Sequence, residues 1–303
     1  MRRGGLGAAI ALALVATLVS AINPGLLIAA PLALLLVALA PARSPYRLIG
    51  VLVLVLLFAT PASGALWYAE RGWALTLGAV FLAVVALRPG RAFLGRGIAA
   101  VALTSLIGGA VLLGSGAWRR VEWAIARRFR EAASAWTMLV RDSGDPALRD
   151  AGDTLRRVAE LEVMLYPAML AIASLAALAV AWWGYRRLTD SDGVPLAPMR
   201  EFRFADHLVW VLIAGAILLV APIGDVAARA GANLATFMAV LYVLRGASIV
   251  IALTGVGGAG MFLMGVMAVL LLPLVASAAL IIGLSDTWLD LRRRASSDDA
   301  ASS

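Results

Sequence analysis

The sequence predicts an all-α fold, a polytopic transmembrane helix bundle of about eight or nine spans with an extramembrane amphipathic helical hairpin. Three observations predict it. Of the 303 residues, 62% are hydrophobic and 15% charged, and mean hydropathy is +0.93. A soluble domain is roughly half apolar, so a bilayer is the simplest solvent for this chain. The apolar residues also lie in long continuous runs, which are helical spans; a transmembrane barrel would show short alternating segments. Finally, the 26 basic residues are all Arg, and they gather in the links between the runs, where they meet lipid headgroups.

The first run covers residues 6–22 and follows Arg2 and Arg3. Val19-Ser20-Ala21 resembles a signal-peptidase site, but the next run begins almost at once, which favours a retained span. Between the two runs, Asn23-Pro24-Gly25 is a tight-turn signal. Residues 26–40, 48–66, 72–87 and 98–116 are the next spans, and together residues 1–116 form a block of N-terminal transmembrane helices.

Residues 117–162 read differently. Arg alternates with Asp or Glu, and Val121, Ile125, Phe129, Ala132, Trp136 and Leu139 recur at helical spacing. Leu148, Ala151, Leu155, Val158 and Leu161 make a second stripe. Asp145 is placed to cap the second helix, and Pro146 fits its first position. The segment is therefore predicted as a helical hairpin outside the hydrocarbon. Spans resume at 163–185, 207–224, 234–254 and 260–284, within a C-terminal block of residues 163–291. Residues 292–303, three arginines followed by a Ser/Asp/Ala string, are predicted as a disordered tail.

Tryptophans support the map: Trp67, Trp73, Trp118, Trp182, Trp183, Trp210 and Trp288 fall at predicted span ends, where indole meets the headgroup layer. With the N-terminus cytoplasmic, Arg43, Arg47, Arg88, Arg91, Arg96, Arg186, Arg187, Arg200 and Arg203 all fall inside. Nine spans would leave Arg292, Arg293 and Arg294 outside; eight would not.

Function classes narrow quickly. The chain has no Cys and one His, so thiolate chemistry and multi-histidine metal sites are absent. A pI near 11.0 would suggest nucleic acid in a soluble protein, but arginines confined to membrane links do not. No cofactor, metal site or catalytic residue is predicted, and the chain is not expected to be an enzyme.

Arg245 is the most informative residue, because it lies inside the run at 234–254. A charge within the membrane costs about 2.5 kcal/mol or more, so it faces a partner or a wet cavity. Tyr242 and Ser248 share its face. Arg245 is thus a contact for an anionic ligand or a gating ion pair, or else a fixed interhelical pair with Asp225 or Asp286, or a snorkelling side chain. The candidate ligand or ion-pair residues are Arg245, Tyr242 and Asp286. Asp286 and Asp290 share a helical face and suit Mg²⁺, yet Asp290 also has Arg293 and Arg294 to pair with. Asp206-His207 invites an acid/base reading, but no nucleophile lies nearby, and residues 200–207 fit an amphipathic segment at the headgroups. Gly231, Ala235 and Ala239 recur every fourth residue, which lets helices approach closely. The glycines of 255–260 make a link; a phosphate loop would need a preceding strand.

Three segments carry a resemblance: Arg200-Glu201-Phe202-Arg203-Phe204 leading to Leu208-Val209-Trp210, then Leu241-Tyr242-Val243-Leu244-Arg245-Gly246, then residues 283–292, Gly-Leu-Ser-Asp-Thr-Trp-Leu-Asp-Leu-Arg. Together they resemble the YybS-like family of uncharacterised bacterial membrane proteins, over residues 163–294. The layout is also similar to the membrane subunits that capture vitamins for energy-coupling-factor transporters. These resemblances imply a protein of the bacterial inner membrane that binds or transports a small solute. The alternative is a membrane scaffold that docks a protein partner through the 117–162 hairpin. The expected partners are the lipid bilayer, a solute and that protein, and no nucleic acid.

Overall fold

The computed structural model describes residues 23–59, 61, 64–141, 146–190, 195–254, 265 and 272–290, without the side chains at 132–159 and 272–273. The expected span at 6–22, the break at 143–145, the glycine link at 255–260 and the tail at 292–303 lie outside the described residues. Among those described, every regular element is helical. The chain divides into two compact units, with the boundary between Pro195 and Leu196.

The N-terminal unit begins with α1 (Pro24–Leu39), whose start is the turn signal itself: Asn23 accepts a hydrogen bond from Gly25 N at 3.0 Å, and Pro24 occupies the first helical position. It is followed by α2 (Pro45–Ala59), α3 (Ala65–Leu87), α4 (Phe93–Gly114), α5 (Trp118–Arg141) and α6 (Pro146–Thr189). α1 packs against α2, α3 and α6. Leu27, Leu35, Leu36, Leu77, Phe81 and Leu178 are fully buried there. Gly78 lets α3 close on α1, where an added Cβ would lie 2.9 Å from Pro31 Cα.

The other faces stay apolar: Leu48, Leu52 and Val55 of α2 and Leu106 and Val111 of α4 are all exposed. Water would penalise so much contiguous apolar surface, whereas lipid accepts it.

α6 departs from the expected pattern. The sequence separates a hairpin ending at residue 162 from a span starting at 163, but one helix of 44 residues runs through both. Nothing around Glu162 stops it, since no Gly or Pro lies there to break the ladder. Pro167 is carried within the helix, which ends only where Asp190 turns left-handed at φ 44°. At 1.5 Å per residue this is about 66 Å, twice a hydrocarbon thickness of about 30 Å. The hairpin arm and the span are thus one continuous rod, with α5 packed against it.

The C-terminal unit carries two single turns, Met199–Glu201 and Asp206–Leu208, then α7 (Val209–Val220), α8 (Asp225–Thr254) and α9 (Leu272–Leu289). α8 is central, packing against both α7 and α9. Its two crossings use glycine. An added Cβ on Gly231 would strike Leu219 N of α7, while one on Gly246 would strike Ala279 O of α9. Gly283 of α9 faces Tyr242 O in the same way.

Among the described residues, four helices are long and apolar enough to cross a membrane: Ala65–Leu87, Phe93–Gly114, Glu160–Thr189 and Asp225–Thr254. Four shorter apolar helices accompany them: Pro24–Leu39, Pro45–Ala59, Asp206–Val220 and Leu274–Leu289. The expected eight or nine full-length spans are therefore four among the described residues. The shortfall is one of length, because a helix of 16 residues such as α1 reaches only about 24 Å.

Candidate functional site

The C-terminal unit brings the three expected site residues together. The close approach at Gly246 and Gly283 lets the later half of α8's buried face meet the end of α9, and Arg245 reaches Asp286 across that seam. Its Nε and Nη2 lie 3.0 and 2.9 Å from Asp286 Oδ2. The third nitrogen, Nη1, lies 2.8 Å from Asp206 Oδ1 in the turn ahead of α7. Arg245 is 0% exposed, Asp286 1% and Asp206 45%. One guanidinium thus joins a buried carboxylate to a half-exposed one.

The network continues outward. Arg203 lies 3.4 Å from Asp206 Oδ2 and 3.5 Å from Asp290 Oδ1. Two arginines and three aspartates therefore alternate along one line: Asp286, Arg245, Asp206, Arg203, Asp290. A buried arginine needs such partners, because removing it from water without compensation costs several kcal/mol. Aromatic groups close the sides. Phe204 is buried, with its ring 5.4 Å from Arg245 Cζ and 5.0 Å from the Tyr242 ring. Ser248 Oγ donates a hydrogen bond within reach of Phe202 O at 3.1 Å and Arg245 O at 2.5 Å. The segment expected at the headgroups is therefore clamped onto α8 through Phe202, Phe204 and Asp206.

Several expectations sort themselves here. Of the two carboxylates proposed for Arg245, Asp286 is the partner. Asp225 starts α8, twenty residues away along the same helix, and favours the helix dipole there. Asp286 and Asp290 turn to different arginines, and no cluster of His, Asp and Glu fit for a metal occurs among the described residues. His207 is exposed while Asp206 turns inward. Tyr242 is fully buried, and its hydroxyl faces Thr287 without a well-formed hydrogen bond. Asp206 points away from its exposed neighbour His207. That divergence is what frees it to serve Arg245, and the Phe-Arg-Phe run just ahead of it, whose Phe204 is buried, was the available signal.

Asp206 is the first residue of the turn ahead of α7, and 45% of its side chain is exposed. Burial pushes its pKa up, but the hydrogen bond and charge of Arg245, with Arg203, hold it below the ordinary carboxylate value. A depressed carboxylate contributes stability above its unfolded pKa, about 3.9 for Asp, and that contribution is lost as pH falls through the folded value. Thermal melting of the detergent-solubilised chain is therefore expected to drop more steeply below about pH 4 than that of Asp206→Asn. Parallel melting curves for the two proteins would contradict this.

The N-terminal unit holds a second buried cation. Arg96, expected on a cytoplasmic link, sits in the first turn of α4 at 2% exposure. Its Cζ lies 5.0 Å over the ring of Trp182, and its Nε and Nη2 meet no hydrogen-bond acceptor among the described residues. Trp182 is itself only 3% exposed and packs edge-on against Phe81 at 6.0 Å. Trp73 turns inward as well, donating to Ser174 Oγ at 2.9 Å. Those two tryptophans serve the core, whereas Trp210 and Trp288 are exposed as an interfacial position requires.

Comparison with known proteins gives a match to a family profile. The profile of a family described as "Predicted membrane protein (DUF2232)" matches residues 8–287. No curated protein and no solved structure matches.

Proposed function

The chain belongs to the DUF2232 family of predicted membrane proteins, and from that premise we propose that it binds and moves a small solute across a bacterial inner membrane. The network around Arg245 is its switching element. The observation that carries this reading is the graded exposure along one guanidinium, with Asp286 buried on one side and Asp206 half exposed on the other. The outer bond is open to competition from water, protons or an anionic solute, while the inner bond holds Arg245 in place. Arg245 is thus a gating pair rather than a preformed, empty anion contact. The YybS-like segments at 200–210, 241–246 and 283–292 coincide with this network and support the same proposal. A cytoplasmic N-terminus, with the shorter apolar helices also crossing, completes it and rests on the arginine distribution and the exposed apolar faces.

The test is a thermal-shift screen of vitamins and small anions on the chain purified in detergent. A ligand at a hundredfold over its Kd stabilises by about 2.7 kcal/mol, which is readily seen. Asp206→Asn leaves the Asp286 bond intact and is expected to change the apparent Kd of any responding solute about tenfold. A responding solute with unchanged affinity in that variant would remove the network from the binding cycle.

A scaffold role for the 117–162 hairpin is the alternative. It draws support from the packing of α5 against α6, but Val121 and Ile125 of the α5 stripe are buried within the fold, which leaves less apolar surface for a partner.

A further inference from the structure

At the end of α3 where Ala65 begins, that helix and α5 flank an open cleft of about 850 Å³. Charged side chains stand among its apolar lining. Arg119, Arg120, Arg127 and Arg128 line it against only two carboxylates, Glu70 and Glu131. Both carboxylates are already engaged: Glu70 with Arg128 at 2.8 Å and Glu131 with Arg127 at 2.6 Å. Arg119 and Arg120 are exposed and have no acidic partner among the described residues. The cleft therefore offers an excess of two guanidinium groups, and guanidinium matches the oxygens of a phosphate in a fork geometry.

Its setting selects the source of that phosphate. α3 is one of the helices able to span the membrane, so its first turn stands at the boundary of the hydrocarbon. Trp67 lines the cleft with Arg71 stacked on its ring at 4.0 Å. Trp123, also lining it, is 58% exposed, and Tyr68, edge-on to Trp67, is 63% exposed. Exposed indole and phenol rings next to arginines are the composition of a headgroup layer, and basic residues there attract anionic lipid.

We infer that this cleft seats the headgroup of an anionic phospholipid, with Arg119 and Arg120 on the phosphate and Trp123 against the glycerol and upper acyl chain. The site belongs to the N-terminal unit and uses none of the residues around Arg245.

The test titrates the purified full chain, in a nonionic detergent at fixed ionic strength, with short-chain phosphatidylglycerol, phosphatidylcholine and inorganic phosphate, reading bound species by native mass spectrometry. Phosphatidylglycerol is expected to bind about tenfold or more tightly than phosphatidylcholine. The R119Q/R120Q double variant is expected to lose about thirtyfold in phosphatidylglycerol affinity, since each arginine at an anionic surface contributes roughly a fivefold factor. Arg91→Gln, in the link beyond the other end of α3, should bind as the wild type does. Equal affinity for the two lipids overturns the inference without recourse to any variant. So does wild-type binding by R119Q/R120Q, or displacement of phosphatidylglycerol by inorganic phosphate at comparable concentration, which would mark a site for a free anion.

Discussion

Arg245→Met is expected to destabilise the C-terminal unit by about 3–5 kcal/mol, the cost of leaving a buried carboxylate without its counter-charge. The orphan is Asp286, 1% exposed, which would lose both short contacts from the guanidinium. Asp206 would lose a partner as well but suffers less, because it is half exposed and keeps Arg203. Methionine fills much of the vacated volume, so the loss reports charge rather than a cavity. Unfolding of the purified protein, followed by circular dichroism in a mild detergent, measures it. A loss below about 1 kcal/mol would place Arg245 among weak surface pairs and contradict its burial.

Gly246→Ala is expected to be nearly as damaging, although it adds one methyl group. That carbon would occupy the space of Ala279 O, and backbone cannot move aside as a flexible side chain can. Overpacking of this kind costs about 1–3 kcal/mol and occasionally more. Here α8 and α9 must separate, so the Arg245 contact to Asp286 lengthens too and the two losses combine. Gly109→Ala in α4 is the matched control. Nothing lies within 4 Å of its added Cβ, so it should be neutral or stabilise by up to about 1 kcal/mol. Equal melting temperatures for Gly246→Ala and wild type would show that the two helices do not approach so closely.

Membrane residence was legible because it depends on composition and run length, which are properties of the chain alone. The start of α1 was legible as well, since Asn23 and Pro24 act locally. Small residues at Gly231 and Ala235 announced a close crossing, and that is how α7 meets α8. What the sequence hid was non-local. The continuity of α6 was hidden because a change from amphipathic to apolar pattern resembles a boundary, although the helix ladder feels no break there. Arg96 was grouped with link arginines because its position in the first turn of α4 says nothing about Trp182, which arrives from a distant helix. Arg245 was visible as a charge in an apolar run. Its choice of Asp286 and Asp206 over Asp225 depends on which helices cross at Gly246, and that is set by packing.

The most direct test of the central claim, a buried Arg245–Asp286 pair that ties α8 to α9, is a double-mutant cycle of Arg245→Met and Asp286→Leu measured by unfolding in detergent. A shared buried pair predicts that each single variant is destabilised, while the double variant returns to within about 1 kcal/mol of wild type, because two apolar side chains replace two charges. The coupling should then be about 2 kcal/mol or more. Losses that add to within about 0.5 kcal/mol would mean that the two residues act independently, and the pair would not exist as described.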